Sequence, residues 1–100
     1  MSQSELQRLV EVMDRLRSPG GCAWDAEQTH ASLIKYLLEE SYEFIDAIET
    51  DDRAGMREEL GDVLLQVYFH SRIAQDHPTD PFSIEDVARA IADKLISRHP

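Results

Sequence analysis

The sequence predicts an all-α domain built from four helices. Apolar residues recur at spacings of three and four in four separate stretches, the period of a helix with one buried face. Helix breakers separate those stretches, and capping residues stand at their starts. No alternating pattern of the kind a half-buried strand requires competes with this. The chain has 100 residues, 42% of them apolar, and reads as a single domain over residues 1–100 with a modest core. A domain this small buries a limited share of its surface, so self-association would help it.

The first helix is expected from Ser4 to about Leu16, with Leu6, Leu9, Val10, Met13 and Leu16 as its stripe. Pro19, Gly20 and Gly21 end it. A loop follows over Cys22–Thr29. Within it Asp25 and Gln28 have the spacing of a capping box, and Thr29 offers a second cap. The second helix is expected over about 30–49. Asp51 or Asp52 caps the third, expected over about 54–75 with Leu60, Val63, Leu64, Val67 and Ala74 as its apolar face. Gly61 in its interior costs about 1 kcal/mol relative to alanine, which suggests close packing there. After the breaker around Pro78 and Pro81, Ser83 caps a fourth helix over about 84–97. Its expected buried stripe is Ile84, Val87, Ala88, Ile91 and Leu95.

Charge narrows the function. A formal net charge of -10 and a pI near 4.6 argue against nucleic-acid binding, which wants clustered Lys and Arg. They argue equally against docking on anionic membranes, and no apolar run has the length of a membrane span. The first residues, Met1 to Leu6, lack the basic-then-apolar order of a secretory leader. The one cysteine, Cys22, excludes an intrachain disulfide and reads as a packing residue. A cytoplasmic setting is the expectation. The chain stops at His99 and Pro100, directly after the last helix, as a domain truncated at its C-terminus would.

The chemistry-bearing feature is a pair of acidic clusters. Glu39, Glu40 and Glu43 interrupt the apolar run of the second helix, and Glu59 and Asp62 sit in the third. Glu40 and Glu43 are three apart and share a helix face, as do Glu59 and Asp62. If the two helices fold back through the turn at Asp51, residues equally far from it face each other. Glu40 and Asp62 are each 11 residues from Asp51, and Glu43 and Glu59 are each 8. Two carboxylate pairs then lie one turn apart at matching heights. Such a cluster raises its own pKa values or requires a cation, and hard oxygen donors suit Mg2+, with Mn2+ as substitute. Magnesium keeps open positions for waters and substrate phosphates, so a phosphorylated ligand is implied. Either pair alone would more often be a solvated face. Glu39 lies to one side, at the rim as a base or acceptor, or simply in solvent. A di-iron centre would need Glu-x-x-His on two helices. Only Glu27 and His30 have that spacing, across a loop.

Glu39-Glu40-x-x-Glu43 followed by Glu59-x-x-Asp62 resembles the metal-binding signature of the MazG family of nucleoside triphosphate pyrophosphohydrolases. The stretches "GGCAWDAEQTHASL", "EELGDVLLQVYFHSRIA" and "DVARAIADKLISRHP" resemble that family's first loop, third helix and last helix. The likeness covers the chain from about Leu16 onward. It implies a four-helix all-α pyrophosphatase fold, assembled as a homodimer or tetramer with sites near subunit contacts. It implies Mg2+-dependent hydrolysis of a nucleoside triphosphate to the monophosphate and pyrophosphate, a house-cleaning activity. Glu40, Glu43, Glu59 and Asp62 match the family's metal ligands, and Glu39 a water-activating glutamate; Glu39, Glu40 and Glu43 are thus the catalytic candidates. Lys94 and Arg98 match basic residues that meet phosphates, though a basic helix end also complements the macrodipole. Trp24 matches a loop aromatic near the base, or else it anchors packing. Ala23 departs from the family loop, which carries proline there. The chain corresponds to the N-terminal type of domain in two-domain members. The competing reading is therefore a catalytically weak helical dimerisation or regulatory module.

Overall fold

A computed structural model describes residues 3–100 of the chain; Met1 and Ser2, part of the stretch read for a leader, lie outside them. The described residues form five helices and no strand: α1 (Glu5–Arg17), α2 (Ala23–Glu27), α3 (Ile34–Glu49), α4 (Arg53–Ala74) and α5 (Ile84–Arg98). The backbone of the molecule is the antiparallel α3–α4 hairpin. α1 and α2 pack together at its open end, and α5 leans on α4 alone.

Local chemistry sets each boundary. Ser4 caps α1 by accepting from the Gln7 N–H. The α1 exit closes when the Cys22 N–H donates to Leu16 O at 2.8 Å, with Gly20 in the left-handed region at φ 86°. A side chain on Gly21 would collide with the carbonyls of Arg15 and Leu16. In the α3–α4 turn the two aspartates divide the work. Asp51 takes the left-handed conformation at φ 53°, which Asp tolerates better than most residues. Asp52 caps α4 by accepting from the Gly55 N–H at 2.9 Å. Ser83 and Asp86 form a reciprocal capping box at the start of α5.

The core sits at the open end. Met13, Leu33 and Phe69 bring α1, the entry to α3 and α4 together, with Tyr36, Leu65 and Ile73 packed around them. Arg17 secures the same end. It donates to the carbonyls of Asp25 (2.7 Å) and Gln28 (3.1 Å), and its guanidinium lies 5.8 Å from the Phe69 ring centre. Arg72 of α4 pairs with Asp14 of α1 at 3.1 Å.

Several expectations are corrected. The loop over Cys22–Thr29 contains α2, so Asp25 lies inside a helix and forms no capping box. Gln28 instead donates to Trp24 O and accepts from Ser32. Thr29 does cap, but it heads the turn before α3, accepting from the Ser32 N–H. Gly61 is exposed and packs against nothing that a methyl group would disturb. The expected apolar face of α4 is partly open, with Leu60 and Val67 exposed, while Gln66, Tyr68, Phe69 and Ser71 are buried. No residue of α5 is buried; Ile91 and Leu95 are each about half exposed. The reason is common to both helices. Part of each apolar stripe points away from the helices packed against it within this chain, so periodicity identified a face but not its cover.

The surface carries the same message. The described chain exposes 7626 Å², where a folded monomer of its 11.4 kDa would expose about 5,800 Å². Its radius of gyration is 15.3 Å, against about 13 Å for a compact domain of this length.

Candidate metal centre

Along α3 the positions facing α4 are Leu33, Tyr36, Glu40, Phe44 and Ala47, all buried or half-buried at a spacing of three and four. A glutamate therefore occupies a core position. On α4 the answering line runs through Gly55, Glu59, Asp62, Gln66 and Phe69, again all at least half-buried. The middle of this interface is acidic from both sides.

The four carboxylates meet in the pairs that distance from the turn predicts. Asp62 lies within hydrogen-bonding reach of Glu40, and Glu43 within reach of Glu59. Glu40, Glu43 and Glu59 each offer an oxygen within 4.8 Å of the others. Burial first, and then the charge of Glu43 and Asp62, pushes the Glu59 carboxyl up to about 7. Burial first, and then the charge of Asp62, Glu43 and Glu39, raises Glu40. Among the described residues no ion pair reaches any of the four. Glu40 Oε2 and Glu59 Oε2 are both buried without a hydrogen-bond partner. Buried, unneutralised carboxylates with orphaned oxygens are costly in a folded chain. A divalent cation would relieve both costs at once, and the donor set, all hard oxygens, fits one. Next to the cluster a cleft of about 560 Å³ opens toward the α3–α4 turn, bounded by Tyr42, Glu43, Asp46, Asp52 and Glu59. Its walls are acidic, so it repels a phosphate unless cations intervene.

The remaining candidates fall in different places. Glu39 is exposed at the edge of the cluster, close enough for its charge to act on Glu40. Trp24 stands on α2, its ring edge-on to Tyr36 at 5.8 Å and 77°, with 49% of its surface open. Tyr36 is one turn before Glu40 on the same face of α3, so Trp24 packs one turn away from the carboxylates. Lys94 and Arg98 are exposed on α5, which touches α4 and not α3. Within one chain they are not brought to the carboxylates.

Two polar features further along α4 went unread in the sequence. Gln66, one turn past Asp62, is buried with its amide oxygen unpartnered. One turn further, His70 meets His30 at 2.8 Å between Nδ1 atoms, with ring planes 4° apart, so one ring donates the proton the other accepts. Burial and the neighbouring His30 lower the His70 pKa. His30 thus pairs with a histidine, not in a Glu-x-x-His metal motif. Spacing could have flagged Gln66, which follows Glu59 by seven and Asp62 by four; nothing in the sequence marks it as buried.

An all-α hairpin with opposed carboxylate pairs offers hard oxygen donors beside a polar cleft. The chain belongs to the MazG nucleotide pyrophosphohydrolase domain family, whose model matches residues 28–100. It is similar to the nucleoside triphosphate pyrophosphohydrolase/pyrophosphatase MazG of Thermotoga maritima, 55% identical over 94% of this chain and 36% of that protein. The nucleoside triphosphate pyrophosphohydrolase of Escherichia coli K12 is 47% identical over 97% of this chain and 36% of its own. An uncharacterised 26.1 kDa protein of Streptomyces cacaoi is 57% identical over 97% of this chain and 39% of its own. The chain thus spans about two fifths or less of the length of these relatives. Among the described residues no helix is long and apolar enough to cross a membrane.

Proposed function

We propose that this domain is a Mg2+-dependent nucleoside triphosphate pyrophosphohydrolase that clears unwanted NTPs or dNTPs in the cytoplasm. The observation that carries the reading is the convergence of Glu40, Glu43 and Glu59, with Asp62 beside Glu40, two orphaned oxygens and no basic partner among the described residues. Those four residues would hold the metal, with Mn2+ as a substitute. When bound, the metal would supply Lewis-acid neutralisation of the triphosphate oxygens and acidify water at the site. Glu39, exposed at the rim, would accept the proton of the attacking water. Attack at the α-phosphorus forms the new P–O bond, breaks the bond to the bridging oxygen and releases pyrophosphate, leaving the monophosphate. The excess surface and uncovered α4 and α5 stripes support a homodimer or tetramer. In that assembly α5 of one protomer would carry Lys94 and Arg98 to the phosphates at its partner's carboxylates.

The test is pyrophosphate release from a panel of NTPs and dNTPs with Mg2+. Hydrolysis that is lost in Glu43→Gln, with the helical spectrum intact, supports the enzyme. The uncovered apolar faces also favour a second reading, a helical dimerisation or regulatory module. No cleavage of any triphosphate under any divalent metal, with a dimer in sedimentation, would establish that reading instead.

A further inference from the structure

We infer that His30 and His70 form a proton-operated latch, which fastens the turn entering α3 to α4 while both rings are neutral and releases it when the pair takes up a further proton. The latch involves none of the four carboxylates and stands apart from the nucleotide reading of that site.

The geometry is that of one shared hydrogen. The Nδ1 atoms are 2.8 Å apart, the ring centres 5.1 Å, and the ring planes differ by 4°. Rings stacked face to face could not bring two nitrogens so close without overlapping. A centre separation that exceeds the nitrogen contact by two full ring radii puts both nitrogens on the line between the centres. The imidazoles are therefore coplanar and end to end, each Nδ1 aimed at the other. One hydrogen fits on that line, donated by one ring and accepted by the other. A metal does not fit between them, since each nitrogen–metal bond takes about 2 Å. Lone pairs aimed at each other do not converge on a metal to one side either.

Burial decides which ring donates. His70 Nε2 is buried with no hydrogen-bond partner, whereas His30 is exposed. A hydrogen on the buried nitrogen would be an orphaned donor, the costlier kind of orphan. His70 therefore carries its hydrogen on Nδ1 and donates it. His30 accepts at Nδ1 and keeps its own hydrogen on Nε2, in solvent. A further proton then has two places to go. It can enter the buried Nε2 of His70, or it can take the lone pair of His30 Nδ1 and break the link. Breaking is cheaper, because the parted rings reach water. Burial, and then the neighbouring His30, lower the His70 pKa, in keeping with a pair that resists protonation while closed. The charged and titratable groups around it are Arg17 from α1, Glu27 from α2, and Asp76 and His77 beyond α4, which border the same cleft as His30. Arg17 is committed to the carbonyls of Asp25 and Gln28 and to Asp76. On α3, Lys35 lies over the Tyr36 ring, and no residue of α5 borders that cleft. Among the described residues the histidine pair is the one hydrogen bond from the α2–α3 connection to α4. The turn it holds leads directly into Leu33, which is 1% exposed in the core.

The readout has to be local, because Glu59 binds its proton in the folded state over the same pH range and moves global stability the other way. The Leu33 and Ile34 amides, bonded to Thr29 O and Ala31 O, report on the latched turn. Their exchange is measured at pH 7.5 and pH 5 as protection relative to an unstructured chain, in wild type, His30→Ala and His70→Gln. In wild type the protection should fall at least about tenfold at pH 5, the effect of one pKa unit of proton uptake by a parted ring. Amides in the middle of α4 should keep or gain theirs. His30→Ala should already show the low protection at pH 7.5. His70→Gln, whose amide can partner His30 in either charge state, should hold its protection at both pH values. Ring nitrogen shifts of the wild type at pH 8 should place hydrogens on His70 Nδ1 and His30 Nε2. Equal wild-type protection at both pH values overturns the latch. So does full protection of His30→Ala at pH 7.5, a pH-dependent loss that survives in His30→Ala, or the reverse tautomers. If His70→Gln fails to fold, the exposed-site variant His30→Ala and the ring shifts decide.

Discussion

At the open end of the α3–α4 hairpin Leu33 faces Phe69, and with Met13 the three are almost fully buried. Ten residues nearer the turn Glu43 faces Glu59, where burial and the charge of Glu43 hold the Glu59 carboxyl well above its ordinary value. The helices, the register and the spacing are the same at both sites; only the side chains differ. The apolar end contributes stability. The acidic end reduces it, and it is tolerable because the other end holds the helices together. In a domain this small, acidic residues such as Glu40 and Glu59 occupy interface positions that would otherwise be core.

Substitutions should therefore act in opposite directions at the two ends. The largest effect on stability is expected for Leu33→Ala. Truncating a fully buried leucine costs about 2–5 kcal/mol, which in a domain of this size would show as a large fall in melting temperature or loss of the folded signal. Glu59→Gln should do the reverse. It removes a buried like charge, so metal-free protein at pH 8 should melt no lower than wild type. Pyrophosphate release should nevertheless drop at least about 100-fold, the upper range seen for groups that merely support a metal ligand. A Glu59→Gln protein that keeps its activity would break the comparison.

The third effect is a pH dependence. Glu59 rises from 4.5 in the unfolded chain to about 7 when folded. The folded state therefore holds a proton that the unfolded state releases across that window. By linkage, metal-free stability should fall as pH rises from about 4.5 to about 7 and level off above. Glu40, also raised, adds to the trend in the same direction. Melting curves in EDTA should show this slope, and saturating Mg2+ should flatten it by stabilising the ionised carboxylates. A flat profile in EDTA would mean the charges do not meet in solution. The smallest effect is expected for Ser83→Ala, which removes a capping box at about 1 kcal/mol. Since α5 leans on α4 alone, the loss should appear as faster amide exchange in α5, with little change in global melting.

The helices were legible in the sequence because their signals are local. Stripes, breakers and the caps Asp52 and Ser83 each act within a few residues. The carboxylate pairing was legible because one short turn makes height along a hairpin a matter of counting. What resisted reading depends on contacts between distant segments. α2 has five residues, and its backbone is held partly by Arg17, which no local pattern announces. The stripes of α4 and α5 were found but their cover was not, since a period says which side is apolar and not what lies against it. Gln66 looked like any polar residue on a helix until α3 was laid over it.

Arg17 has a consequence for motion. A helix of five residues is too short to persist alone, and Cys22 gives it no side-chain cap. One guanidinium, grasping two carbonyls near the end of α2, works as a tether on a flap that carries Trp24. Cutting that tether with Arg17→Met should leave α3 and α4 slow to exchange their amide protons while the α2 amides exchange within the dead time. Trp24 would then swing independently of the hairpin it leans on.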